Sequence, residues 1–342
     1  MNQFNAKNIL IINLKFLGDL IVTTAAIRAI REKYTSAKIT VLVRKQYKDV
    51  LAGNKNIDEI IFYDLLNKEK RGITKLKSEV KFINYLRSKR YDSAVSLQAG
   101  DRYVLWSFFS AAKFRVGPIK NNLAFLLTHK ANVYENRINF MDYYLEIART
   151  FGAEADSRQT DFVLNPAFSK CVDDYFSEKN ILESDKIICI HPGAGESSRK
   201  WKLDNYPLLV KKIIEETEYK IIFTIGPQEH KHRTIFEPLT NSRVLIHYSE
   251  NVHELAWVIN KAALLIGMDS GARHLAAALN IPSLALFPED MIAAWWFYKE
   301  ENKQFYLAGK RNNGDKENQF LDKINVETVF EKAVQILKMK WV

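Results

Sequence analysis

Cysteine is almost absent from this 342-residue chain. Its two thiols, Cys171 and Cys189, cannot form a disulfide framework and lack metal-ligand spacing, so a reduced, cytoplasmic setting is expected. No stretch approaches ~18 uninterrupted apolar residues, which excludes a bilayer-spanning helix and leaves only peripheral membrane contact. The apolar run near the start is shorter than a signal-peptide core, and Asn13 and Lys15 interrupt it, so it reads as a buried strand. No D-x-D triplet and no His/Cys cluster with metal spacing occur, so neither a metal nor a resident cofactor is expected. A G-x-G-x-x-G turn is missing after the first strand, which speaks against nicotinamide or flavin binding. Short repeats and low-complexity tracts are absent too.

What is present is a globular composition, 47% apolar and 26% charged, with a formal net charge of +10. That excess would draw nucleic acid, anionic lipid or a polyanionic substrate, or it reflects only a lysine-rich composition. No helix-turn-helix, zinc-finger or RNP pattern supports nucleic acid. The length suits two domains. Strands at Asn8–Leu14, Lys38–Val43, Ile60–Tyr63 and Tyr91–Leu97 alternate with helical periodicity at Leu20–Tyr34 and Thr74–Lys89. A second series follows, with strands at Lys186–His191, Lys220–Ile225, Val244–His247, Ala263–Met268 and Ser283–Phe287. Such alternation predicts α/β architecture, two Rossmann-like domains with parallel sheets facing a central cleft, where ligands of open sheets bind. The boundaries read as 1–165, 166–325 and a final helix in 326–342 that would pack back on the first domain. The alternation lapses over Asp156–Pro166.

Three segments carry candidate chemistry. In Leu14-Lys15-Phe16-Leu17-Gly18-Asp19, Asp19 falls at the start of the first helix. There the helix dipole and free N–H groups would hold it ionised, as a cap, as a general base for an acceptor hydroxyl, or as both. The loop His191–Trp201 contains Gly193 and Gly195, the hydroxyls of Ser197 and Ser198, and the cations Arg199 and Lys200. It suits a departing diphosphate, or is simply a basic surface loop, and Trp201 suits core packing better than base stacking. In Gly267–Ala278, Asp269, Ser270 and Gly271 precede a helix whose free amides make an anion site. His274 either contacts that ligand or is a satisfied structural histidine.

Together these motifs resemble the ADP-heptose:lipopolysaccharide heptosyltransferases, glycosyltransferase family 9, with the two-domain GT-B fold. The likeness rests on K-x-x-G-D at Lys15–Asp19, Ser96-Leu97-Gln98 through Arg102, H-P-G-A at His191–Ala194 with the cation–Trp pair, and D-S-G-x-x-H-L-x-A-A from Asp269. It spans nearly the whole chain, with the segment 15–19 closer to the heptosyltransferase II/III branches. The resemblance implies an inverting glycosyltransferase with ADP-heptose as donor, and an anionic inner-core saccharide of lipopolysaccharide or lipooligosaccharide as acceptor. By that likeness Asp19 is the base, and Ser197, Ser198, Arg199, Lys200, Glu229, Asp269, Ser270, Gly271 and His274 form the donor site. Lys15, Gln98 and Arg102 would meet the acceptor. The family places Lys two residues before the tryptophan, whereas Arg199 stands there in this chain and Lys200 beside it. Trp295-Trp296-Phe297-Tyr298 would pack, cover the donor, or form an edge facing the cytoplasmic side of the inner membrane. Two rival readings remain. One is a related GT-B transferase using another nucleotide sugar or a protein acceptor. The other is a non-catalytic nucleotide-binding homologue.

Overall fold

The computed structural model describes residues 5–63, 72–135, 137–195, 200–227, 229–230, 233–310 and 321–340. The chain divides into two compact units, Met1–Val163 and Leu164–Val342, a division that falls inside the stretch 156–166.

The first unit holds strands β1 (Asn8–Ile12), β2 (Lys38–Arg44), β3 (Glu59–Tyr63), β4 (Ser93–Ser96), β5 (Phe114–Pro118) and β6 (His129–Ala131). Its helices are α1 (Leu17–Lys33), α2 (Gly72–Ser88), α3 (Asp101–Phe109) and α4 (Phe140–Thr150). The sheet runs β3-β2-β1-β4-β5-β6 with every pairing parallel. β1 reads NILII and is buried over its last four residues, as a strand covered on both faces must be. It stops two residues before the predicted end. The Leu14 N–H turns away to the side-chain oxygen of Gln98, so no strand partner receives it.

The second unit repeats the plan. Its strands are β7 (Ile187–His191), β8 (Lys220–Ile225), β9 (Val244–Tyr248), β10 (Leu264–Met268), β11 (Ser283–Pro288) and β12 (Gln304–Gly309). The helices are α5 (Ser169–Glu178), α6 (Asn205–Glu216), α7 (Arg233–Phe236), α8 (Val252–Asn260), α9 (Gly271–Ala278), α10 (Ile292–Trp295) and α11 (Val326–Lys338). The strand order is β12-β11-β10-β7-β8-β9, again all parallel. Each unit is therefore a doubly wound Rossmann-like sheet, the pair that defines the GT-B class. In each, the order reverses beside the first strand, between β1 and β4 and between β7 and β10. That is where open α/β sheets bind ligands.

The final helix belongs to the core of the second unit. Val329, Phe330, Ala333 and Ile336 of α11 lie in the core of the second unit with Leu209, Ile213 and Leu264. Its apolar face is thus used within the second unit. Strand–helix patterning also passed over α3, β5, β6, α4, α5 and β12. Three-residue β6, with two exposed residues, is too short to show a period.

Candidate functional site

In the first unit the site begins where the chain leaves β1. Phe16 adopts extended backbone as the N-cap of α1, which puts Asp19 in the first turn. Asp19 is 5% exposed. Its Oδ1 accepts the Tyr144 hydroxyl at 2.8 Å, and its Oδ2 accepts the Phe16 N–H at 3.4 Å. Tyr144 comes from α4, which packs on α1. Burial raises the Asp19 carboxyl above its ordinary value, against the pull of the Lys15 charge, the Tyr144 hydroxyl and the Phe16 amide. Desolvation outweighs the Lys15 charge, the Tyr144 hydroxyl and the one long amide contact, so the carboxyl holds its proton more tightly than a solvated one.

Lys15 stands beside this carboxylate with its ammonium on Glu135, 2.7 Å away, and over the Phe140 ring at 4.8 Å. Gln98 is buried and fastens the end of β4 to Leu14. It positions the turn that carries Asp19. Arg102 lies elsewhere, exposed on α3 with its guanidinium 6.0 Å from the Trp106 ring. The sequence reading missed Tyr144, Glu135 and Arg44; Arg44 leaves β2 to donate to the Leu14 carbonyl and stack on Phe16.

Next to this group, a cavity of about 600 Å³ opens past the carboxyl ends of β4, β5 and β6. Glu135, Tyr143, Asn121, Asn122, Asp101 and Lys120 supply its polar lining. Gly100 caps α3 with φ +138°, and its N–H donates to Asn121 Oδ1. A Cβ there would sit 2.8 Å from the Tyr103 ring, so this corner of the cavity needs glycine.

In the second unit, β7 delivers His191 and Gly193. His191 Nδ1 lies 3.1 Å from both the carbonyl and the hydroxyl of Thr224. Burial pushes the imidazole down to about 4, so it is neutral at pH 7. Glu229, 6% exposed, reaches over Gly193 and carries Lys200 at 3.8 Å. A Cβ on Gly193 would meet His191 Nε2 at 2.7 Å and the Glu229 carboxyl at 2.9 Å, so the close approach depends on glycine. Lys200 and Glu229 are thereby brought together. Ser197, Ser198 and Arg199 lie outside the described residues. Trp201 is core: its indole N–H donates to the Ile324 carbonyl at 2.9 Å.

At the end of β10, Asp269 Oδ1 accepts from Arg273 Nε at 3.1 Å and Nη2 at 2.8 Å, with both side chains buried. Ser270 caps α9 in extended backbone, and its Oγ is buried without a hydrogen-bond partner. His274 is buried with both ring nitrogens engaged, Nε2 facing Arg273 Nη2 at 3.2 Å and Nδ1 facing the Tyr298 hydroxyl at 3.1 Å. Burial, then the Arg273 charge, hold it well below its ordinary value. The ring is thereby a neutral, satisfied strut inside the motif. Trp296, Phe297 and Tyr298 gather round the Arg273 guanidinium at 5.8, 5.9 and 5.3 Å. These contacts use the aromatic segment for packing round Arg273. Arg273 escaped notice although its i+4 spacing from Asp269 was in plain view. Among the described residues, no group of three or more His, Cys, Asp or Glu side chains could hold a metal ion.

Against known proteins, residues 80–323 match Glycosyltransferase family 9 (heptosyltransferase). The chain is 22% identical over 346 residues to lipopolysaccharide heptosyltransferase 3 of Escherichia coli (strain K12), covering 95% of this chain and 96% of that protein. A glycosyl transferase family 9 crystal structure from Veillonella parvula superposes with a TM-score of 0.82 at 19% identity, covering 98% of this chain and 99% of the other. The ADP-heptose lps heptosyltransferase II of E. coli superposes with a TM-score of 0.79 at 20% identity, covering 96% and 98%. Both relatives with numbered activities come from the II/III side of the family that the segment 15–19 resembles. A family match across most of the chain, on two units of the matching fold, places this glycosyltransferase in glycosyltransferase family 9, the heptosyltransferases.

Proposed function

We propose that the chain is an inverting, metal-independent glycosyltransferase. It would move heptose from ADP-L-glycero-β-D-manno-heptose to an inner-core sugar of lipopolysaccharide or lipooligosaccharide, on the cytoplasmic side of the inner membrane. Family membership and the heptosyltransferase relatives support the reaction class. The observation that carries the reading is Asp19: a buried carboxyl at a sheet's ligand-binding end, gripped by one hydroxyl, beside a polar cavity. Burial that raises its proton affinity makes it a stronger base than a solvated carboxylate.

In this reading Asp19 takes the proton of the acceptor hydroxyl. The acceptor oxygen then bonds to the anomeric carbon as the bond from that carbon to the ADP oxygen breaks, and the configuration inverts. The leaving diphosphate falls to protein cations and a helix end. Lys200, the amides at Gly271 and the hydroxyl of Ser270 lie in the second unit's ligand-binding end, where Ser270 Oγ lacks a partner. Ser197, Ser198 and Arg199 share this role on sequence grounds. Glu229 is assigned to the ribose hydroxyls, and Asp269 and His274 act through Arg273 to fix the start of α9. Lys15 and Gln98 position the acceptor side of Asp19, and Arg102 meets the acceptor's anionic groups.

Donor profiling tests the substrate assignment. With a de-acylated core saccharide as acceptor, ADP-heptose should give product where ADP-glucose and UDP-sugars do not. Preferred transfer from a UDP-sugar would overturn the donor assignment.

A further inference from the structure

Tyr143 lines the cavity beside Glu135 from α4, with only 1% of its surface exposed. Its hydroxyl is buried and makes no hydrogen bond among the described residues. The Ala99 backbone acts on it electrostatically, outside hydrogen-bond geometry. Leaving a buried hydroxyl unpaired is costly, and in a cavity such a group is available to an atom of a ligand. Two other lining groups are half used. Glu135 Oε1 accepts the Lys15 ammonium at 2.7 Å, while Oε2 has no partner among the described residues. The Asn122 side-chain nitrogen donates to Asp101 Oδ2 at 2.9 Å, which leaves its carbonyl oxygen open.

These open positions mostly accept hydrogen bonds, so a ligand that fits them must donate. Sugar hydroxyls donate, whereas an ionised phosphate or carboxylate only accepts. Charge points the same way. Asp101 and Glu135 line the cavity against one cation, Lys120, which is exposed. The Asn122 side chain and the Leu123 amide hold Asp101 below its ordinary value, so it stays charged at neutral pH. A phosphate in this cavity would face two carboxylates and leave the Tyr143 hydroxyl as one of few donors to it.

We propose, resting on the reading of the acceptor as a core saccharide, that this cavity receives a neutral sugar ring with its hydroxyls free. Tyr143 is the residue that recognises a hydroxyl, and Glu135 the one that rejects a phosphate. Two contacts set the cavity beside Asp19. Glu135 holds Lys15, which stands next to that carboxyl, and the Tyr143 ring meets Tyr144 edge-on at 5.6 Å. The acceptor's anionic groups then stay outside the cavity.

Two de-acylated core saccharides are compared, identical except for a phosphate monoester on the terminal sugar of one. The full chain should use the unphosphorylated saccharide with a kcat/KM at least about tenfold higher. Tyr143→Phe should raise the KM for that acceptor about three- to tenfold, with kcat and the KM for ADP-heptose unchanged. It should not lower the Tm, because no bond within the fold is lost. Glu135→Gln keeps the shape, removes the charge and should narrow the ratio between the two acceptors. Equal use of both saccharides by the wild type, or an unchanged acceptor KM in Tyr143→Phe, would overturn the proposal. So would a lower Tm in that variant, which would make the hydroxyl part of the fold. Calorimetry with the unphosphorylated saccharide separates the cavity from the reaction. Binding that weakens in Tyr143→Phe without any heptose transfer keeps the cavity's role and removes the reaction. Transfer to both saccharides alike removes the cavity's role and keeps the reaction.

Discussion

Tyr144 donates its hydroxyl to Asp19 Oδ1 across 2.8 Å, linking two side chains 125 residues apart in the first unit. The bond stabilises the charged carboxylate, so it works against the burial that raises Asp19. Tyr144→Phe removes that counterweight. The acidic limb of the kcat/KM profile should then move to higher pH with the affinity for ADP unchanged. An unmoved limb would mean that Tyr144 only fills space.

Stability should carry the opposite mark of the same carboxyl. Its folded pKa lies above the unfolded one, so the folded state binds the proton more tightly, and stability falls as pH rises through that interval. Asp19→Asn should therefore raise the Tm at neutral pH, with the gain fading as the pH falls through the raised folded pKa toward the ordinary carboxyl value. Melts of both proteins between pH 4 and pH 8 (about the span a carboxyl of this kind covers) read it directly.

Arg273 holds Asp269 in a buried ion pair enclosed by rings. Breaking one side of such a pair costs about 3–5 kcal/mol. Arg273→Met should lower the urea midpoint accordingly, and adding Asp269→Asn should restore part of the loss. Equal stability of the single variant and wild type would deny the pair its structural role.

Gly193 leaves no room for a methyl group beside His191 and Glu229. Gly193→Ala should displace the Glu229 carboxyl and weaken ADP binding on the order of tenfold, a shift of ~1.4 kcal/mol, without altering the far-ultraviolet spectrum. Undiminished affinity by calorimetry would take Glu229 out of the nucleotide site.

The motifs were legible because their residues are neighbours in sequence: Lys15 to Asp19, His191 to Gly193, Asp269 to His274. Parallel strands were legible where short apolar runs are buried on both faces, as in β1 and β10. What escaped was made by distant segments. Tyr144 reaches Asp19 from α4, and Glu135 reaches Lys15 across 120 residues, with no local pattern to announce either. The raised proton affinity of Asp19 escaped for a related reason. A helix start is visible in sequence, but the surrounding burial that raises the carboxyl is a property of the folded unit. His274 shows the same limit, since Tyr298 and Arg273 satisfy it only once β10, α9 and the segment after α10 come together.

Asp19 as general base is tested most directly by mass. Wild type and Asp19→Asn are incubated with ADP-L-glycero-β-D-manno-heptose and truncated, de-acylated core acceptors. The wild type should add one heptose mass, and the variant should be slower by about 10²–10⁴-fold while binding ADP as tightly. An Asp19→Asn protein that transfers heptose at the wild-type rate would contradict that role and leave Asp19 as the cap of α1.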